Sequence, residues 1–278
     1  MTISPADAVL LCPRNDEESL QILKIAQAME LATVISAQPH GARLQNEEHL
    51  IERLRAANPN ANTVVIVEIP GPEVESQLQA TGYKLVIIDH HRYEGLDRMK
   101  MESSLDQFLT LFDLDNEQLR HLGFDPSLVR GVGAIDRGFL WELKKIGYSP
   151  SEARRARDYY RALGHELGDE FARSETAAKE AWDNKTVEQG IFVYRSPSKD
   201  LHIREAISFL VADHYDEPPT GVILEGDGQI TVQDSPQAQK LFNAFGGYLF
   251  GQNQCWGFKP QSARPTPTLS SILEILLS

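Results

Sequence analysis

Residues 63–93 read TVVIVEIPGPEVESQLQATGYKLVIIDHHRY, and the change of period along them decides the fold. Thr63 to Ile69 is an apolar, β-branched run of the kind that forms strands. Glu73 to Ala80 makes a short helix, and Lys84 to Ile88 returns as a strand ending at Asp89, His90 and His91. The same alternation extends upstream. Ala8 to Cys12 is a short continuous apolar run, suited to a strand covered on both faces. After the polar turn from Pro13 to Glu18, Leu20, Ile22, Leu23, Ile25, Met29 and Leu31 fall on helical spacing. Ala32 to Ser36 reads as a strand, and Glu47 to Ala57 as a helix with Leu50, Ile51 and Leu54 as its apolar stripe. The order β-α-β-α-β-α-β predicts an α/β fold, a doubly wound parallel sheet with helices on both faces. Its parallel crossovers place every strand's C-terminal end on one edge, where such sheets bind ligands. Asp16 and Glu18, Glu68, and then Asp89, His90 and His91 follow three of these strands, so they should converge in space.

Downstream, residues 94–184 read as helical, with breaks at Gly123, Asp125-Pro126 and Ser149-Pro150. A composition shift near Thr186 starts a new pattern. Ile191 to Tyr194 is strand-like and Arg204 to Tyr215 helix-like. Gly221 to Glu225 and Gln229 to Gln233 flank Gly226-Asp227-Gly228 as a hairpin. Gln237 to Phe245 and the closing SSILEILLS read as helices. The expected organisation is a sheet domain over residues 1–145, a helical connector over 146–187 and a smaller C-terminal α/β domain over 188–278.

The chain has 278 residues and a net charge of −13, the opposite of what a protein coating long duplex nucleic acid carries. Two cysteines, Cys12 and Cys255, cannot build a disulfide framework and fit a reducing compartment. No apolar run approaches the roughly 18–20 residues of a membrane span. The start MTISPADAVLLC lacks the basic residues and long apolar stretch of a signal peptide, so a cytoplasmic location is expected.

Carboxylates and neutral imidazoles gathered at one sheet edge suit divalent cations such as Mn²⁺, Mg²⁺ or Zn²⁺. Each residue also has a structural explanation. Asp16, Glu18 and Asp89 could cap helices, and His90 could be a satisfied buried histidine.

VIIDHHRY, Val86 to Tyr93, resembles the signature of the DHH phosphoesterase superfamily, and GVGAIDRGF, Gly131 to Phe139, resembles its downstream motif. The resemblance covers roughly residues 5–140. It implies a metal-dependent hydrolase of phosphate esters or phosphoanhydrides using one or two Mn²⁺ or Mg²⁺ ions. On this resemblance Asp16, Glu18, Glu68, Asp89 and Asp136 are metal ligands. His90 aligns water or the scissile phosphate, His91 beside it ligates or orients its neighbours through hydrogen bonds, and Arg137 is a candidate phosphate contact, equally well a surface ion pair. The first motif departs from the usual His-Asn-Asp-x-Asp-Gly. Here it runs Arg14-Asn15-Asp16-Glu17-Glu18-Ser19, and the single Asp expected after the third strand is Glu68. Arg14 cannot ligate a cation, but its charge could replace an ion or clamp a phosphate.

The run FNAFGGYLFGQNQCWGF, Phe242 to Phe258, pairs glycines with aromatics. Gly246 and Gly247 resemble the start of a phosphate-touching run, with Lys259 or Arg264 as basic partners; a packed turn with its aromatics in the core is the alternative. The expected function is hydrolysis of a phosphodiester in a short single-stranded nucleic acid or a phosphorylated small molecule by metal-activated water, in a chain compatible with a homodimer. A non-catalytic nucleotide- or phosphate-binding module is the alternative from another class, and a pyrophosphatase or polyphosphatase a further enzyme reading.

Overall fold

The computed structural model describes residues 2–93, 95–251, 254–260 and 265–278, so Arg264 lies outside the described residues. In chain order the elements begin β1 (Ala8–Pro13), α1 (Glu17–Ala28), β2 (Thr33–Ser36), α2 (Leu50–Ala57), β3 (Thr63–Val67), α3 (Pro72–Ala80) and β4 (Lys84–Ile88). Two short strands follow, β5 (Arg92–Tyr93) and β6 (Leu96–Asp97). Then come α4 (Ser104–Leu111), α5 (Asn116–His121), α6 (Pro126–Lys145), α7 (Pro150–Leu167) and α8 (Glu170–Asp183). The remainder is β7 (Thr186–Glu188), β8 (Ile191–Arg195), α9 (Arg204–His214), β9 (Gly221–Leu224), β10 (Ile230–Gln233), α10 (Ala238–Phe245), β11 (Tyr248–Phe250), β12 (Cys255–Phe258) and α11 (Leu269–Leu276).

The chain divides into two compact units. The first contains Met1–His90, Glu102–Gly133 and Ser151–Leu167; the second contains His91–Met101, Ala134–Pro150 and Gly168–Ser278. The stretch expected to be a connector, residues 146–187, is thus shared between them.

In the first unit a four-stranded parallel sheet runs in the order β2-β1-β3-β4, as the alternating pattern predicts. The central strands β1 and β3 are buried at every residue, which explains their unbroken apolar runs. Val9, Leu11, Val64 and Ile66 pack with Leu44, Leu54 and Leu78 as one core layer. Asp16 starts α1: its carboxylate accepts the Ser19 N–H at 2.7 Å, and the Ser19 side chain returns the bond to the Asp16 backbone. Farther along, Ser103 caps α4 by accepting the Asp106 N–H at 3.0 Å. A Cβ on Gly133 would come within 2.4 Å of Ser103 Oγ, so only glycine lets α6 approach the start of α4 this closely.

In the second unit an eight-stranded sheet runs β6-β5-β11-β12-β10-β9-β8-β7. Among the described residues only β8 and β9 pair in parallel, across α9; the expected hairpin of β9 and β10 is present with Ile230 opposite Leu224. Five strands of this sheet were not legible in the pattern: β5, β6, β7, β11 and β12. They are two to four residues long, too short to display a period of their own. The sequence pattern also runs α6 on without interruption, whereas Gly138 and Phe139 break it; Phe139 has φ 55° and lies edge-on to Phe250. The glycine–aromatic run forms α10, β11 and β12. Trp256 is fully buried and donates from Nε1 to the Gly246 carbonyl at 2.7 Å. A Cβ on Gly257 would strike the Tyr248 ring at 2.2 Å. These contacts are those of the packed turn.

Glu225 is buried at the end of β9, where it accepts the Ile203 N–H at 3.0 Å. Burial raises its pKa to about 7, against the lowering effects of that hydrogen bond and of Arg204. From about pH 4.5 to 7 the folded chain therefore holds a proton that the unfolded chain has released, so stability falls as pH rises through this window. The contribution is on the order of 3 kcal/mol. Urea denaturation at pH 5 and pH 8 should show this loss in the wild-type chain, and Glu225→Gln should remove most of it, leaving the share of Asp234, whose pKa burial raises to about 6.

Candidate metal centre

Because the four strands of the first unit are parallel, the segments leaving their C-terminal ends share one edge. Glu18 lies in the first turn of α1, Glu68 directly after β3, and His90 two residues after β4. Glu18, Glu68 and His90 each present a ligand atom, all within 4.8 Å of one another. His90 Nε2 lies 3.2 Å from Glu68 Oε1. The Ser104 hydroxyl donates to the same Glu68 oxygen at 2.7 Å. Glu18 Oε1 accepts the backbone N–H of Leu105 at 2.9 Å, so the first turn of α4 anchors both carboxylates. Glu68 has φ 52°, a left-handed conformation unusual for a residue other than glycine, while its own N–H still donates to the Ile88 carbonyl at 2.9 Å. Such local strain persists where surrounding contacts determine the conformation, and it concentrates at functional sites.

Cys12, at the end of β1, reports the potential of this edge. Its thiol pKa is pushed well above the ordinary value, first by burial and then by the charges of Asp16, Glu68 and Glu18. Two carboxylates and an imidazole in a desolvated, negatively charged setting form a donor set that fits Mn²⁺, Mg²⁺ or Zn²⁺.

The other residues expected at the site are placed as follows. Asp16 and Asp89 contribute no atom to the 4.8 Å group. Asp16 caps α1, as its structural reading held, and also faces His40, with His40 Nδ1 4.0 Å from Asp16 Oδ2. Asp89 is buried, and its carbonyl accepts from the Gln107 amide at 3.1 Å. Arg14 is exposed. The remainder belong to the second unit. There His91 is half-buried, with its ring 5.9 Å from Tyr93. Asp136 is half-buried on α6, where its charge adds to burial in raising the pKa of Glu205. Arg137 pairs with Glu142 at 3.4 Å, the ion-pair alternative to a phosphate contact. Gly246 and Gly247 belong to the packed turn, and Lys259 is half-buried beyond β12. Sequence reasoning missed Ser104, Leu105 and His40. The first two lie in a helix start remote in sequence, but His40 follows a strand of the same sheet and was open to the edge argument.

No protein-family model and no curated protein matches the chain. The chain is similar to solved RecJ structures. RecJ from Thermus thermophilus in complex with Mn²⁺ is 14% identical, with a TM-score of 0.48 over 92% of this chain and 50% of that one. This chain therefore spans about half the length of that RecJ. An exonuclease RecJ bound to manganese is also 14% identical, with a TM-score of 0.42 over 92% of this chain and 86% of that one. A pGpG-specific phosphodiesterase from Vibrio cholerae is 9% identical, with a TM-score of 0.36 over 92% and 94% of the two chains. Among the described residues no helix is long and apolar enough to cross a membrane.

The tie between Glu18 and Leu105 separates structure from ligation. Glu18→Ala leaves a buried N–H unsatisfied and should cost about 1–3 kcal/mol. Glu18→Gln keeps an acceptor there and should retain most of that stability while weakening any bound divalent cation. Paired urea denaturation and Mn²⁺ titration of the two variants read both effects.

Proposed function

We propose that this chain is a divalent-metal-dependent phosphoesterase that hydrolyses a phosphodiester of a short nucleic acid or small nucleotide with Mn²⁺ or Mg²⁺. The observation that carries the reading is the anchored group of Glu18, Glu68 and His90 at the parallel sheet edge. When bound there, a divalent ion supplies Lewis acidity toward a phosphoryl oxygen and lowers the pKa of a bound water. The chain's own contribution is pre-organisation. Ser104 holds Glu68 and the Leu105 N–H holds Glu18, so neither carboxylate has to be ordered when a ligand arrives. His90 is buried with Nε2 3.2 Å from Glu68 Oε1, so it fixes that carboxylate and offers a nitrogen donor beside it.

Net charge of −13 supports a short or small substrate over long duplex, whose affinity depends on phosphate neutralisation. Trp256 and Phe258 are buried, so base stacking is not assigned to them. The DHH resemblance adds ligand roles for Asp16, Asp89 and Asp136 and an orienting role for His91. These are proposed on the motif and can be read from single variants.

The test is Mn²⁺ uptake by the purified chain beside hydrolysis of bis(p-nitrophenyl) phosphate and of a short oligonucleotide. Uptake with cleavage is expected. Glu68→Gln and His90→Ala should each weaken Mn²⁺ about 10- to 100-fold and lower kcat/KM at fixed Mn²⁺ in proportion. No uptake, or full turnover in both variants, would overturn the proposal. Uptake without cleavage of any phosphate ester would favour the nucleotide-binding module instead.

A further inference from the structure

We infer that His40 is a metal ligand, acting with Asp16 on a divalent cation at the same sheet edge. This rests on the metal-dependent reading above and names a residue that the DHH motif does not contain. The topology brings the two together. β1 and β2 pair in parallel, with Cys12 opposite Ile35 and Pro13 opposite Ser36, so the segments leaving the two strands run side by side. Asp16 comes from the first segment and His40 from the second.

The separation of 4.0 Å between His40 Nδ1 and Asp16 Oδ2 is too long for a hydrogen bond. Two ligands of one tetrahedral cation, each about 2.0–2.2 Å from it, lie about 3.3–3.6 Å apart, so a shift of about half an ångström in the exposed His40 ring brings the pair to ligand spacing. The Asp16 carboxylate is already oriented by its Oδ1 bond to the Ser19 N–H. The His40 segment is fixed as well. Gln38 Nε2 donates to the Arg43 carbonyl at 3.0 Å, and the Arg43 N–H returns a 3.0 Å bond to Gln38 Oε1. Gln38 and Ser36 both donate to Glu47, which Arg53 ties down at 2.7 Å. Burial alone would raise the Glu47 pKa, but these hydrogen bonds and the Arg53 charge hold it below its usual value, so the anchor stays ionised. Asn15 links the two segments directly, donating to the Gln38 carbonyl at 3.4 Å.

The surroundings favour a cation. Asp16, like Glu68 and Glu18, adds its negative charge to the burial that raises the Cys12 pKa. The His40 side chain is 45% exposed, which leaves room for water or substrate on the ion.

The experiment is Mn²⁺ titration by calorimetry, with bound metal counted by elemental analysis, on the wild-type chain, His40→Ala and His40→Gln. Both variants should keep the wild-type melting temperature, since the ring is exposed. They should lose one ion or bind Mn²⁺ about 10- to 100-fold more weakly, and added imidazole should recover part of that loss in His40→Ala. Unchanged stoichiometry and affinity in both variants, with wild-type uptake intact, would overturn the assignment of His40 alone. A wild-type chain that takes up no Mn²⁺ would overturn the metal reading and this assignment together.

Discussion

Parallel pairing of β1 with β2 and β3 is the constraint on which the candidate site depends. Parallel strands require crossovers, and crossovers deliver each following segment to the same edge. Glu18, Glu68, His90, Asp16 and His40 reach that edge from four different strands, although they span more than seventy positions of chain. An antiparallel arrangement of the same strands would send alternate segments to opposite ends and scatter them.

Gathering carboxylates in this way opposes folding, because buried like charges repel and lose hydration. The chain counters that cost with helix starts. Glu18 lies in the first turn of α1 and accepts a backbone N–H from the first turn of α4, so it meets the positive ends of two helices. Asp16 caps α1 itself. Glu68 is held by a hydroxyl from the same first turn of α4. Residues that could be dismissed as helix caps are therefore also the residues that make the edge negative. The two readings posed from sequence are compatible, since the helix-start residues are also the ones proposed as ligands.

Much of the first unit was legible in the sequence because its signals are local. β-branched runs, helical spacing and DHH at the end of a strand each occupy about a dozen residues or fewer, and the observed strands are parallel, as the crossovers they imply require. The second unit was harder to read. Its sheet is built largely from strands of two to four residues, and its aromatic and glycine run serves core packing around Trp256. A short strand takes its identity from its neighbours, which a local pattern does not contain.

The site divides in the same way. Sequence alone determined which residue types follow the strands: the acids after β1 and β3, and the acid and imidazoles after β4. It determined that these would meet, because strands joined by helical crossovers run parallel and leave their C-terminal ends on one edge. Only tertiary structure decided that Glu18, Glu68 and His90 form the tight group while Asp16 turns toward His40. The physical reason is that Glu18 and Glu68 take their direction from hydrogen bonds with the first turn of α4, remote in sequence, whereas Asp16 is held by its own helix start and meets His40 only because β1 and β2 pair.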